Sequence, residues 1–99
     1  MKRKLLSEEA IIRRDERFED GLGYFYELIM KRSPNVSSYR IPLYSMRVRM
    51  IDADGEESQA EIKDAFADVG KAITFYEKLV KNFATPIDLA YILEDEIIK

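Results

Sequence analysis

Residues 66–99 read FADVGKAITFYEKLVKNFATPIDLAYILEDEIIK, and within them Phe66, Val69, Ile73, Tyr76, Val80 and Phe83 recur at steps of three and four. That spacing lines one face of an α-helix with apolar side chains. Thr85 then stands where an N-cap belongs, Pro86 at a first helical position and Asp88 at the third, which predicts a variant capping box opening a second helix. Two helices joined by a short turn describe a scaffold and no chemistry.

Working back from that pair, Tyr44, Met46, Val48 and Met50 alternate with Ser45, Arg47 and Arg49, the period-two signature of a strand with one dry and one wet face. Pro42 at its start implies an edge position or a bulge. Asp52-Ala53-Asp54-Gly55-Glu56 reads as a hairpin turn, with Gly55 free to adopt positive φ. A calcium loop would need glycine at its sixth position and a bidentate glutamate farther on, and neither is in place. Ser58, Ala60 and Ile62 predict a short strand pairing across that turn.

Residues 24–30, rich in aromatic and branched side chains and followed by Ser33-Pro34-Asn35, read as a further strand and loop. A helix running through residues 7–31 is the alternative, because Phe18, Leu22, Phe25 and Ile29 also fit a period of 3.6. Residues 6–20 read as a helix capped by Ser7, thinly apolar and laced with opposite charges, ending at Gly21 and Gly23. The expected fold is therefore α+β in a single domain, 1–99. A loosely packed N-terminal helix (1–20) precedes a three-stranded antiparallel meander (21–63) and two C-terminal helices packed on one face (64–99).

Composition narrows the function classes. Ninety-nine residues, 46% hydrophobic and 35% charged, suit one modest core. Neither cysteine nor histidine occurs, so thiolate chemistry, disulfides and the commonest zinc ligands and proton shuttles are missing. Catalysis would fall to carboxylates, lysines and tyrosines, and the expectation is a non-enzymatic protein without cofactor or metal. The dispersed glycines form no phosphate loop. The basic opening Met1-Lys2-Arg3-Lys4 imitates a signal peptide, but Ser7-Glu8-Glu9 cuts its apolar run short and no stretch approaches membrane-span length, which implies a cytoplasmic protein. Residues 1–50 carry 11 Lys/Arg against 7 Asp/Glu and residues 51–99 carry 5 against 12, a split of +4 and −7 that suits head-to-tail association unless packing interleaves the charges.

Ala72, Phe75 or Tyr76, Leu79, Asn82, then Pro86-Ile87-x-Leu89 and Glu94-Asp95, behind an aromatic strand, a second strand and an acidic turn, resemble a family of small uncharacterised Gram-positive bacterial proteins catalogued as a domain of unknown function. The likeness spans roughly residues 24–98. Its relatives often carry histidine where this chain has Asp88, so an imidazole role would not transfer. The resemblance implies a fold and no activity, cofactor or catalytic residue.

Candidate binding residues follow from charge and exposure. Arg47 and Arg49, with Arg40 and Lys31 near them and Tyr24, Tyr26 or Tyr44 for stacking, would form a basic sheet face; Arg13 and Arg14 add a basic cluster to the amino end. Glu94, Asp95 and Glu96 fan around a helix rather than converge. Leu5, Leu6, Ile11, Ile12 and Phe18 belong to a segment too charged to bury itself and need another surface. The leading expectation is a protein-interaction or accessory module, a homodimer or partner binder with no small-molecule ligand. Nucleic-acid binding through the amino-terminal helix is the alternative, disfavoured by the net charge of −3.

Overall fold

A computed structural model describes residues 8–32, 42–89 and 91. Four strands follow one another in sequence and in space: β1 (Glu8–Glu19), β2 (Leu22–Arg32), β3 (Leu43–Ile51) and β4 (Glu57–Phe66), all antiparallel in the order β1-β2-β3-β4. Helix α1 (Val69–Lys81) and a short helical stretch at residues 86–89 come after them. The α+β class stands, but the three-stranded meander behind an N-terminal helix does not: the segment expected to be helical is β1.

The reason lies in β2. Its side chains Tyr24, Tyr26 and Leu28 are buried, and a buried strand must bond its backbone groups on both sides. β3 satisfies one side and β1 the other, in register from Glu19 opposite Leu22 to Glu8 opposite Arg32, with one irregularity between Ile11 and Arg13. The reversal is the two-residue turn Asp20-Gly21, with φ of 53° and 81°, the mirror-image geometry that hairpins prefer and that Asp-Gly adopts readily. A glycine read as a helix stop is thus a hairpin centre. Asp15 faces α1 with Arg13 and Arg17, while Arg14, Glu16 and Phe18 face away, so both faces of β1 are charged and its alternation is invisible to hydropathy.

The expected strands at 24–30 and 44–50 are β2 and β3. Pro42 lies just ahead of β3, which is an inner strand; the ladder irregularity falls instead between Tyr44 and Met46, where β4 bulges at Asp64 (φ 52°) and the Asp64 N–H donates to Ser45 Oγ at 2.8 Å. In the acidic turn, Asp52 Oδ1 accepts from the N–H groups of Asp54 and Glu56, each at 2.9 Å, and Gly55 takes φ of 86°.

The C-terminal pair is corrected in its details. Phe66 ends β4, and α1 begins after Asp68, whose Oδ1 accepts from Gly70 N at 2.7 Å and Lys71 N at 3.2 Å. Ala72, Phe75, Tyr76 and Leu79 make the buried ridge, whereas Val69 is 46% exposed, so the true apolar face is rotated from the expected stripe. Phe83 (φ 52°) ends α1 in the left-handed region, with Ala84 N bonded to Leu79 O and Phe83 N to Val80 O, a Schellman closure built without glycine. The capping box is present in both directions: Asp88 N donates to Thr85 Oγ1 at 3.2 Å and Thr85 N to Asp88 Oδ2 at 3.1 Å. Only residues 86–89 and 91 of that second helix are described.

One core results, between α1 and one face of the sheet: Tyr24, Tyr26 and Leu28 of β2, Tyr44, Met46 and Val48 of β3, the α1 ridge, Ala84 and Leu89. Tyr26 donates to Ala84 O at 2.8 Å, so its buried hydroxyl is satisfied. Among the described residues no helix lies on the opposite face of the sheet.

Candidate functional site

Counting outward from the Asp20-Gly21 turn sets Arg14 of β1 opposite Glu27 of β2; the next ladders set Glu27 opposite Arg47 of β3 and Arg47 opposite Glu61 of β4. All four project from the face away from α1. They form a straight row of alternating charge: Arg14 Nε lies 3.3 Å from Glu27, Arg47 is bonded to Glu27, and Arg47 lies 3.8 Å from Glu61. Opposite charges directly across a ladder favour this register, by about 0.2–1 kcal/mol per pair.

Toward the Asp20-Gly21 end the next row is Glu16, Phe25, Arg49 and Gln59, and beyond it Phe18, Gly23, Ile51 and Glu57. Arg49 lies over the Phe25 ring at 4.6 Å and pairs with Glu57 at 3.4 Å. Phe18 meets Phe25 edge-on at 5.8 Å, and its ring leans over Gly23, where an added Cβ would come within 3.2 Å of it. Phe18, Leu22, Gly23, Phe25 and Ile51 thereby line an apolar depression of about 330 Å³, and Phe18 remains 68% exposed. A shallow polar groove of about 300 Å³ runs beside it over Phe25, Arg47, Arg49 and Glu61. On the far side of the charged row Ile29 and Ser45 are buried, so the accessible patch is these three rows.

Between β1 and α1 the contacts are polar. The Tyr76 hydroxyl donates to Asp15 Oδ2 at 2.7 Å, with the Tyr26 carbonyl 3.1 Å away. Arg13 lies over the Tyr76 ring at 5.2 Å and bonds Glu77 at 3.2 Å, a pairing that raises its pKa. Arg17 donates to Val80 O at 2.9 Å and covers the Phe83 ring at 4.0 Å. Desolvation pushes the Tyr26 and Tyr76 phenols well above the ordinary tyrosine value, the Asp15 hydrogen bond adding to it for Tyr76.

Of the residues singled out in the sequence, the fold brings Arg14, Arg47, Arg49 and Phe18 onto one surface and turns Arg13 to the other. Ile11 and Ile12 are exposed farther along β1; Leu5, Leu6, Arg40 and residues 94–96 lie outside the described residues. Tyr24, Tyr26 and Tyr44 are core residues, so they offer no stacking platform. The arginines form no basic face, because carboxylates alternate with them. Glu27, Glu61, Phe25 and Ile51 escaped the sequence reading, although the Asp20-Gly21 turn, read as a hairpin, places Glu27 opposite Arg14 and Phe25 opposite Glu16 by counting. Among the described residues no group of three or more acidic side chains is placed to hold a metal, and no helix is long and apolar enough to cross a membrane.

A family model described as a family of unknown function (DUF6514) matches residues 7–99, and so takes in β1, which the resemblance seen in the sequence left out. No curated protein and no solved structure matches.

Proposed function

This chain belongs to the DUF6514 family, and we propose that it is a small, cytoplasmic, non-enzymatic protein-interaction module whose docking surface is the face of the sheet away from α1. The observation that carries the reading is the half-built look of that face: exposed Phe18 and part-buried Phe25 and Ile51 sit beside a charge row whose members already satisfy one another. An aromatic anchor next to ordered, mutually neutralised charges is the composition of a protein interface, in which apolar contacts give affinity and charges fix register. Nucleic-acid binding has less support, since Arg14, Arg47 and Arg49 each have a carboxylate partner that phosphate would have to displace.

The test is a photoreactive amino acid placed at Gln59, on this face, or at Thr74, on the outer side of α1, in the intact chain inside its own cells. Protein adducts from position 59 and not from 74 support the reading. Adducts to nucleic acid, or equal labelling from both positions, overturn it.

A further inference from the structure

The charge row has a symmetry that identifies an occupant. Read from β1 to β4 it runs plus, minus, plus, minus, so it is antisymmetric about the line between β2 and β3. A second copy turned about a two-fold axis along that line, parallel to the strands, presents the row reversed. Arg14 of one copy then lies opposite Glu61 of the other, and Glu27 opposite Arg47, with every contact attractive. A two-fold axis running across the strands would instead set Arg14 on Arg14 and Glu27 on Glu27.

The same axis fixes what meets at the apolar end. Rotation about a line along the strands keeps each row at its own level, so the Phe18 row meets its own copy. Ile51 of one protomer is set over the Phe18 and Phe25 rings that close on Gly23 of the other, and Phe18 is set opposite Glu57. One level in, Phe25 meets Arg49, the pairing already made within the chain. We infer that the partner on this face is a second copy of this chain, packed sheet to sheet about a two-fold axis parallel to the strands; this rests on the docking reading above and names its occupant.

The patch is small. Three rows spaced about 7 Å apart over four strands about 4.8 Å apart bury of order 800 Å² on the two sides together, which is the size of weak, transient interfaces. The dimer is accordingly weak and salt-sensitive, with the charges setting orientation more than affinity.

Sedimentation of the full chain from micromolar to near-millimolar concentration tests this. The wild type should show reversible dimerisation that weakens with added salt. Arg47→Glu (row plus, minus, minus, minus) and Glu27→Arg (row plus, plus, plus, minus) should each lose self-association by tenfold or more. Mixed, the two single variants become complementary at all four positions and should form a heterodimer, a result that damaged folding could not produce. The double variant Glu27→Arg/Arg47→Glu restores the antisymmetry and should dimerise. A monomeric wild type, a dimer indifferent to Arg47→Glu, or a mixture that stays monomeric overturns the inference. If protein adducts still form at position 59 and none of them is to a second copy, docking on this face stands and only self-association falls.

Discussion

Replacing Arg17 by alanine should remove one of the main ties between the first strand and the helix. Its guanidinium donates at 2.9 Å to Val80 O in the last turn of α1 and lies 4.0 Å from the centre of the Phe83 ring. A charge-assisted hydrogen bond contributes about 1.5–3 kcal/mol, and partial exposure places this one at the low end. Stacking on an aromatic ring adds about 0.5–1 kcal/mol. The attraction of a cation to the helix carboxyl terminus is largely the same electrostatic effect as the hydrogen bond and is not counted again. The expected loss is about 2 kcal/mol, or about 8–16 °C in the thermal midpoint of a domain this size. Urea titration of Arg17→Ala against wild type measures it, and Arg17→Lys, which keeps the charge without the planar stack, should fall between them. The pairing with Phe83 is isolated by a double-mutant cycle with Phe83→Leu, expected to show about 0.5–1 kcal/mol of coupling. An Arg17→Ala midpoint within error of wild type, or zero coupling to Phe83, would refute the argument.

Thr85→Ala removes one half of a reciprocal cap and should cost about 0.5–2 kcal/mol in a urea titration; an unchanged midpoint would mean the box contributes nothing. The two buried phenols set a limit at high pH. Their folded pKa values are raised, so the stability they confer is complete below the unfolded value of about 10 and declines as pH rises above it, by up to about 1.4 kcal/mol per pH unit for each phenol. Phenolate absorbance during an alkaline titration should show Tyr26 and Tyr76 ionising only together with unfolding, while Tyr26→Phe and Tyr76→Phe each flatten the decline.

How far the sequence discloses this structure depends on where the organising contact lies. β2, β3 and the Asp52–Glu56 turn are written locally, in alternation and turn chemistry, and so is the Thr85–Asp88 cap. β1 is not, because what makes it a strand is the need of β2 for a second partner and the reach of Arg13, Asp15 and Arg17 to a helix some sixty residues away. Its closely spaced opposite charges suit a solvated helix equally well. The Asp20-Gly21 dipeptide is the local signal available, and Gly23, only two residues on, gives the two glycines the spacing of simple helix punctuation. The start of α1 is obscured for a similar reason: Phe66 fits the helical spacing, but Asp68 is the residue that caps. The candidate surface was half legible. Alternation puts Arg47 and Arg49 on the wet side of β3, but their neutralisation by Glu27, Glu61 and Glu57 needs the ladders, which only the folded register supplies.

No described side chain of β1 is buried; the strand is held by its ladder to β2 and by polar links to α1. It is therefore an edge that opens at low cost, while the strand beneath it carries Tyr24-Phe25-Tyr26-Glu27-Leu28-Ile29-Met30. That run combines high β-propensity with a single charge and no proline, the profile of a segment that templates cross-β stacking once its edge is bare. The charged strand is in this sense a guard rail along an aggregation-prone edge. A chain shortened to begin at Gly21 would lose that rail and, instead of dissociating into tidy monomers, would be drawn into open-ended strand addition along β2.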